Sequence, residues 1–412
     1  MGTTIRNAKA IQSAALFSEL CRKKNFSNLL VDGAPTKMEG RSSNQTSFSA
    51  PIVRVTDLTK GSTDEVTVDL FHRLNGRPTM GDKKISGRGE TLTQSEMSLK
   101  INQGRHMVDA GGRMAQHRTN KNLEAIARSV LGPYVPELND ELMTYHLCGA
   151  RGNIITADTK VPLSSDPEFD EILVNPLLPP SYDRHMFGGN ATSLETLDSA
   201  DVFTLDAVEN LRLILDEMVS MRIPEIRFKD DAMAEESPLF VLWVTPRQLF
   251  DFKQTTSFKD LQTMTSNAMA RSSGFNHPLF KGDRWMWENI LIKKLPRYHV
   301  QFSAGDTVKV STNSNNAATT NVTAATTVHR AILMGGQALA HAFGNQGKMG
   351  GEDAGFIGMH TEKTDHENGT ETSIRWMSGM KKIRFADKFG RMNDNGIIAL
   401  DTAVSAASGT VR

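Results

Sequence analysis

The chain has 412 residues, enough for one large or two medium domains, each with its own core. Lys plus Arg and Asp plus Glu both number 47, so the formal net charge is zero, which argues against a protein whose main task is gripping nucleic acid. Only Cys21 and Cys148 are present, without CxxC spacing, which excludes a disulfide framework or zinc ribbon, and no apolar run approaches the ~18 residues of a membrane span.

Residues 1–50 read as an N-terminal arm. One amphipathic segment runs from about Ile5 to Lys23, followed by a polar stretch through Gly40–Asn44 with no core-forming period. The arm carries seven basic and three acidic residues. Residues 51–110 read as a long β-ribbon. Ile52, Val53 and Val55 begin it, Val66, Val68 and Leu70 alternate with polar residues, and Met97, Leu99 and Ile101 alternate on the return. Between the two arms of the ribbon, residues 73–90 hold four glycines, one proline and five cations: Arg73, Arg77, Lys83, Lys84 and Arg88. Such a segment has almost nothing to bury, so it is either a disordered loop or a ribbon held by something outside the monomer.

Leu123, Ile126, Ala127 and Val130 follow a helical period that Leu138, Leu142 and Tyr145 continue, predicting a helix from about Thr119 to Cys148 kinked at Gly132-Pro133. Its length at ~1.5 Å per residue is ~45 Å, with Pro136 in a first turn and Gly149 as the stop. Further on, Leu205, Val208, Leu211, Ile214 and Met218 predict a helix that Pro224 closes. Leu239–Val244 is a continuous apolar run, hence a buried strand, and Thr245-Pro246-Arg247-Gln248 is a capping box opening the next helix. Phe258, Leu261 and Met264 predict another helix and Asn289–Ile292 another strand. Residues 303–328, rich in Ser, Thr, Asn and Ala, read as a surface loop or small insertion, and Ala331–Phe343 as a small-residue helix. Ile383, Phe385 and Gly396–Leu400 predict closing strands.

No residue is assigned a catalytic, cofactor-binding or metal-binding role. Gly344, Gly347, Gly350 and Gly351 surround Lys348, but Met349 stands where a phosphate loop requires Ser or Thr. His360, Glu362, Asp365, His366 and Glu367 are the best metal candidates, yet they lack HExxH spacing and fit an exposed polar loop better. Arg105, Arg113 and Arg118 fit either an anion site or a subunit contact.

The order of parts, together with several strings, resembles the Hong Kong 97-type fold of tailed-phage major capsid proteins. Thr56–Gly61, Val66–Leu70 and Leu74–Pro78 are similar to the branch typified by coliphage N-four, as are Gln103–His106, Gly111–Met114 and Leu147–Gly152. His277–Gly282, Met334–Ala338 and Asn393–Ile397 extend the likeness, which covers most of the chain from about residue 51. The resemblance implies an α+β fold with an N-arm (1–50), an E-loop ribbon (51–110), a P-domain with a spine helix (111–195), an A-domain (196–350) and a C-terminal return to the P-domain (351–412). It implies a major capsid protein, not an enzyme and with no cofactor, that assembles with itself as hexamers and pentamers of an icosahedral shell around double-stranded DNA. A separate scaffolding protein, a portal, a possible decoration protein and weak non-specific contact with DNA would be its partners, with no membrane involved. The location implied is the virion capsid, assembled in the host bacterial cytoplasm. The five ribbon cations Arg73, Arg77, Lys83, Lys84 and Arg88 are the expected inter-subunit contacts. Two rival readings stand beside this one: another virion or tail structural protein, and a metal-dependent soluble enzyme.

Overall fold

In the strand Phe240–Val244, residues 240, 242 and 244 pack into one apolar cluster, while 241 and 243 pack into another. Side chains alternate between the faces of a strand, so a strand covered on both faces reads as an unbroken apolar run. The computed structural model describes residues 50–405 except 56–62, 72–75, 119–121, 157–158, 219–220, 228–236, 273–276, 281, 283, 296, 315–317, 347, 350–351 and 354–355, and adds the short strands Thr36–Lys37 and Asn44–Gln45. The expected amphipathic segment at 5–23 lies outside these residues, as does Arg73.

Around Phe240–Val244 lies a mixed sheet in the order His185–Phe187, Ile397–Ala403, Val328–Met334, Phe240–Val244, Ile290–Lys294, Trp285–Trp287. Phe240–Val244 and Ile290–Lys294 are parallel, and helices Pro246–Thr255 and Phe258–Ser272 form the crossover that parallel pairing requires. The capping box is present: the Gln248 N–H donates to Thr245 Oγ1 (3.3 Å) and the Thr245 N–H donates to Gln248 Oε1 (2.9 Å). Gln248 Nε2 also donates to the His329 carbonyl and to Thr402 Oγ1, both at 2.9 Å, so the cap ties this helix to two central strands. Helix Leu205–Glu217 covers the same face through Val208, Leu211 and Leu215; it ends well before Pro224.

The expected helix over Ala331–Phe343 is instead two strands, Val328–Met334 and Leu339–Phe343. Every residue of both is buried, so no alternating period marks them, and their Ala, Leu and Met content favours helix by propensity alone. Gly335-Gly336 joins them: a Cβ on Gly335 would collide with the Pro224 carbonyl, to which the Gly336 N–H donates at 2.7 Å. Leu339–Phe343 belongs to a second sheet, between Ile52–Val55 (parallel) and Gly369–Lys382 (antiparallel). Gly369–Lys382 also pairs with Ile357–Thr364 and with Asn102–Gly112, and the strands at 36–37 and 44–45 extend the other edge.

The ribbon is therefore shorter than expected. Ile52–Val55 and Asn102–Gly112 belong to the second sheet, and only Glu65–Phe71 and Gln94–Lys100 pair as a two-stranded ribbon, with Val66 opposite Leu99 and Val68 opposite Met97. Residues 303–328 hold a hairpin, Thr307–Ser311 with Thr319–Thr323.

The long helix appears as two, Leu123–Leu131 and Tyr134–Cys148, parted at Gly132-Pro133, with Pro136 in the first turn of the second. The second buries twelve of its fifteen residues, so it is an axis enclosed on all sides. Glu141, fully buried in it, accepts from the N–H groups of Lys160 (2.9 Å) and Val161 (3.2 Å) and from the Tyr145 hydroxyl (3.0 Å), anchoring the following loop. Gly149 ends the helix at φ +66°, with its Cα facing the Leu178 carbonyl so closely that a Cβ would overlap it. We predict that Gly149→Ala destabilises the subunit by at least ~1–2 kcal/mol for the left-handed backbone alone, and by more once the collision is relieved. Urea denaturation measures this; an unchanged midpoint would contradict the account.

Candidate assembly surface and the buried charges behind it

The ribbon stands on an apolar base. Met97, Leu99 and Ile101 pack with Val53, Val55, Ala340, Ala342, Ile383 and Phe385, and Val66, Val68 and Leu70 lie against that group. Beyond the base, residues 76–93 have no regular secondary structure. The Glu90 carboxylate ties down the stem by accepting from the Gly76 N–H and pairing with Lys388, and the Arg88 N–H donates to the Ile85 carbonyl at 3.0 Å. Four of the five expected cations, Arg77, Lys83, Lys84 and Arg88, share this exposed loop, and none of their side chains makes an ion pair or hydrogen bond within the described residues. Three apolar side chains stand out beside them, Met80 at 71%, Ile85 at 74% and Leu92 at 62% exposure. Such a loop can take up an anionic surface and cover apolar area; it holds no acid, base or nucleophile arranged for chemistry.

The body behind the loop is fixed by buried charges. Arg330 and Asp401 are both inaccessible to water and meet in two bonds, Nε to Oδ1 at 2.7 Å and Nη2 to Oδ2 at 2.6 Å. His185 Nε2 lies 2.7 Å from the same carboxylate, and Arg330 Nη1 donates to the carbonyl of Cys148 (2.9 Å), the last residue of the long helix. Burial alone would raise the Asp401 carboxyl, but Arg330 and His185 outweigh it and hold it well below the usual carboxylate range. A second cluster centres on Asp394, paired with Arg384 (2.7 Å) and Lys382 (2.9 Å) and bonded to the Ser181 N–H (3.1 Å). Burial pushes the Lys382 ammonium down to about 8, with Asp394 opposing. Neither cluster was legible in the sequence, because Arg330 and Asp401 lie 71 positions apart and an isolated Arg in a strand carries no sign of its partner.

The other sequence candidates do not converge on a site. His360 and Glu362 lie on the strand Ile357–Thr364, opposite Ser373 and Glu371, and Asp365, His366 and Glu367 form the left-handed turn after it, with φ of 51°, 51° and 71°. Among the described residues, no three His, Cys, Asp or Glu side chains are grouped so as to hold a metal ion. Glu367 meets Arg113 at 3.4 Å on the surface. Arg105 faces Arg375 across the sheet. Gly344 donates its N–H to the Met377 carbonyl (3.0 Å), and the segment after it pairs as Lys348–Met349 with Glu352–Asp353, with no helix to cradle a phosphate. No helix among the described residues is long and apolar enough to cross a membrane.

A sequence model of the phage capsid protein family matches residues 4–406. The chain belongs to that family. It is a structural protein of the phage shell, and solved capsids share its mixed helix-and-strand architecture over nearly their whole length. It is similar to the capsid of Ralstonia phage GP4 at 27% identity, covering 94% of this chain and 93% of that one with a TM-score of 0.72. The capsid of cyanophage Pam1 (20% identity, 86% and 88% covered, TM-score 0.57) shares the fold. So does the head protein of Helicobacter pylori bacteriophage KHP40 (10% identity, 93% and 99% covered, TM-score 0.57). No curated protein matches the chain.

Two expected outcomes test the buried charges of this capsid protein. Asp401→Asn leaves Arg330 buried without a countercharge and should cost about 3–5 kcal/mol, read as a loss of soluble subunit and a lower melting temperature. The second concerns acid. Burial lowers His146 to about 4 and His329 to about 3, and it also lowers His185 and His341. In the unfolded chain these groups titrate near ~6.5. As pH falls below that value the unfolded state gains protons that the folded state refuses, so stability is full above about 6.5 and falls toward 4. Each such histidine contributes ~1.4 kcal/mol per pH unit to the slope. The melting temperature should drop between pH 7 and pH 5; a flat profile would contradict the burial of these rings.

Proposed function

We propose that the chain is the major capsid protein of a tailed phage, with the Hong Kong 97-type fold and in the branch typified by coliphage N-four. Copies assemble as hexamers and pentamers into the icosahedral shell around double-stranded DNA. The observation that carries this reading is that the likeness to a capsid at 27% identity spans 94% of this chain and 93% of that one. The role is structural, without cofactor. We assign residues 1–50 to an arm, 51–110 to the E-loop, 111–195 and 351–412 to the P-domain and 196–350 to the A-domain. The helices at 123–131 and 134–148 then form the spine, and the sheet centred on Phe240–Val244 lies mainly in the A-domain.

We propose a separate scaffolding protein as a partner in assembly. A portal, a possible decoration protein and weak contact with packaged DNA complete the proposed partners, in a virion built in the host bacterial cytoplasm. Electron microscopy of the expressed chain, with and without the scaffold, tests the whole reading: closed shells support it, whereas tubes or soluble monomers favour a tail component or an unrelated role.

The sharper test concerns the loop, where Arg73, Arg77, Lys83, Lys84 and Arg88 are the proposed inter-subunit contacts. An exposed ion pair contributes only ~0–1 kcal/mol, but around every capsomer such terms act together. Changing Lys83, Lys84 and Arg88 together to Glu is expected to block shell assembly while leaving the subunit's melting temperature within about 1 °C, because these exposed side chains make no ion pair or hydrogen bond among the described residues. Hydrogen exchange over 76–90 should be fast in free subunits and slow in shells. Equal rates in both states would mean that the loop touches no neighbour.

A further inference from the structure

Strands Asn102–Gly112, Gly369–Lys382 and Ile357–Thr364 form one end of the second sheet, with Gly369–Lys382 in the middle. One face of this end is covered by the two helices at 123–148. His106 stacks on Tyr134 with ring centroids 4.2 Å apart, Ile357 and Ile374 pack against Leu131 and Val135, and Thr361 Oγ1 accepts from Arg128 at 3.1 Å. Side chains alternate along a strand, so the residues between these point the other way. The register sorts that outer face into three rows. Arg105 lies beside Arg375, then Met107 beside Ser373 and His360, then Asp109 beside Glu371 and Glu362. Like charges directly opposite on neighbouring strands, with Cβ atoms ~5 Å apart, work against the sheet. Both charged rows do so here, and among the described residues none of the five side chains forms an ion pair. Asp109 accepts from the Gly111 N–H at 2.7 Å, and Arg375 Nε is shut from water without a hydrogen-bond partner. Nor are the three carboxylates grouped so as to hold a metal ion.

We propose that this face pairs with the same face of a second copy of the chain, across a two-fold axis running along the middle row. Charge complementarity selects both the occupant and the register. Turning one copy by 180° about that line lays its basic row on the acidic row of the other. Arg105 then meets Asp109 of the second copy and Arg375 meets its Glu371, and each contact occurs twice. The two charged rows lie four residues apart, ~14 Å at ~3.4 Å per residue, and equally far from the axis, so the face is complementary to itself. A two-fold axis along the strands would instead set Arg375 on Arg375 and Glu371 on Glu371, and like charge excludes it. Met107, 57% exposed, lies in the row on the axis, where the two copies cover each other's side chain. The face is well short of the ~800 Å² per partner of a standard interface, so the pair is weak alone and gains from the other contacts of an assembling shell. It does not depend on the loop contact proposed above.

Symmetric cross-linking tests the pairing in the full chain. Cys148 is buried, and in a Cys21→Ser background Met107→Cys supplies the reactive thiol. Oxidation of concentrated free subunits and of assembled particles should give reducible dimers that do not extend into a ladder, because a two-fold contact closes on itself. The background chain should give none. Arg105→Glu with Arg375→Glu is expected to cut the dimer yield by roughly tenfold, at an unchanged melting temperature. Adding Asp109→Arg and Glu371→Arg to the same chain should restore it, since the exchanged charges meet again across the axis. Three results each overturn the pairing: no dimer in either preparation, a yield that the first reversal leaves intact, or a loss that the second reversal does not repair in a folded chain. Where a charge variant fails to fold, salt takes its place. The Met107→Cys dimer yield should fall severalfold between about 50 and 500 mM salt, and a salt-independent yield overturns the charge register.

Discussion

The whole body turns on a charge pair that water cannot reach. An arginine and an aspartate taken out of water are tolerated only when each satisfies the other, and Arg330 and Asp401 do so in two short bonds. Because the cost of leaving either one alone is several kcal/mol, every element that carries a partner has its position dictated. Arg330 sits on an inner strand, Asp401 on the C-terminal strand, His185 on the strand beyond it, and the Cys148 carbonyl at the end of the long helix. The last described strand, Ile397–Ala403, is thereby inserted between two earlier ones, and the helix axis is docked onto the sheet at its end. Asp394 repeats the device where the chain turns back, drawing Lys382, Arg384 and Ser181 together.

That arrangement sets a body centred on buried charge pairs apart from a loop whose cations make none among the described residues. The body's two ion clusters are buried, and in each a fully buried aspartate meets its cations directly. The 76–93 loop is the opposite, with four cations that keep their hydration in the free subunit and three large apolar side chains, Met80, Ile85 and Leu92, in water. In the proposed shell that asymmetry separates the two jobs of a coat subunit. Folding draws on buried contacts indifferent to neighbours, and association draws on surface groups whose loss leaves the fold intact.

The sequence showed the elements whose pattern is local. Leu239–Val244 followed by Thr245-Pro246-Arg247-Gln248 holds its own signature within ten residues, and the structure returns both the strand and the cap. Ala331–Phe343 failed for a physical reason: a strand buried on both faces loses its period, and what remains is composition, which for Ala, Leu and Met points to helix. The ribbon was overextended because Ile52–Val55 alternates like a ribbon strand, while its partner, Leu339–Phe343, lies almost three hundred residues away. The exposed cations are legible one by one, whereas the buried pair of Arg330 and Asp401 is not, since its members lie 71 positions apart.

A net charge of zero with 47 charges of each sign admits two arrangements, mixed everywhere or sorted into patches. The described surface has patches of both kinds, basic on the loop and acidic at 166–171. For a coat built of many copies, sorting has a consequence that neutrality alone lacks. With no net charge, copies approach without long-range repulsion, and beyond a screening length of about 8 Å the surface patches exert little force. Each contact stays weak enough to release a misplaced subunit, and a closed arrangement makes many contacts act at once. In the proposed shell, contacts of that kind need subunits whose strands keep their places, and the buried pair of Arg330 and Asp401 is one of the contacts that holds them.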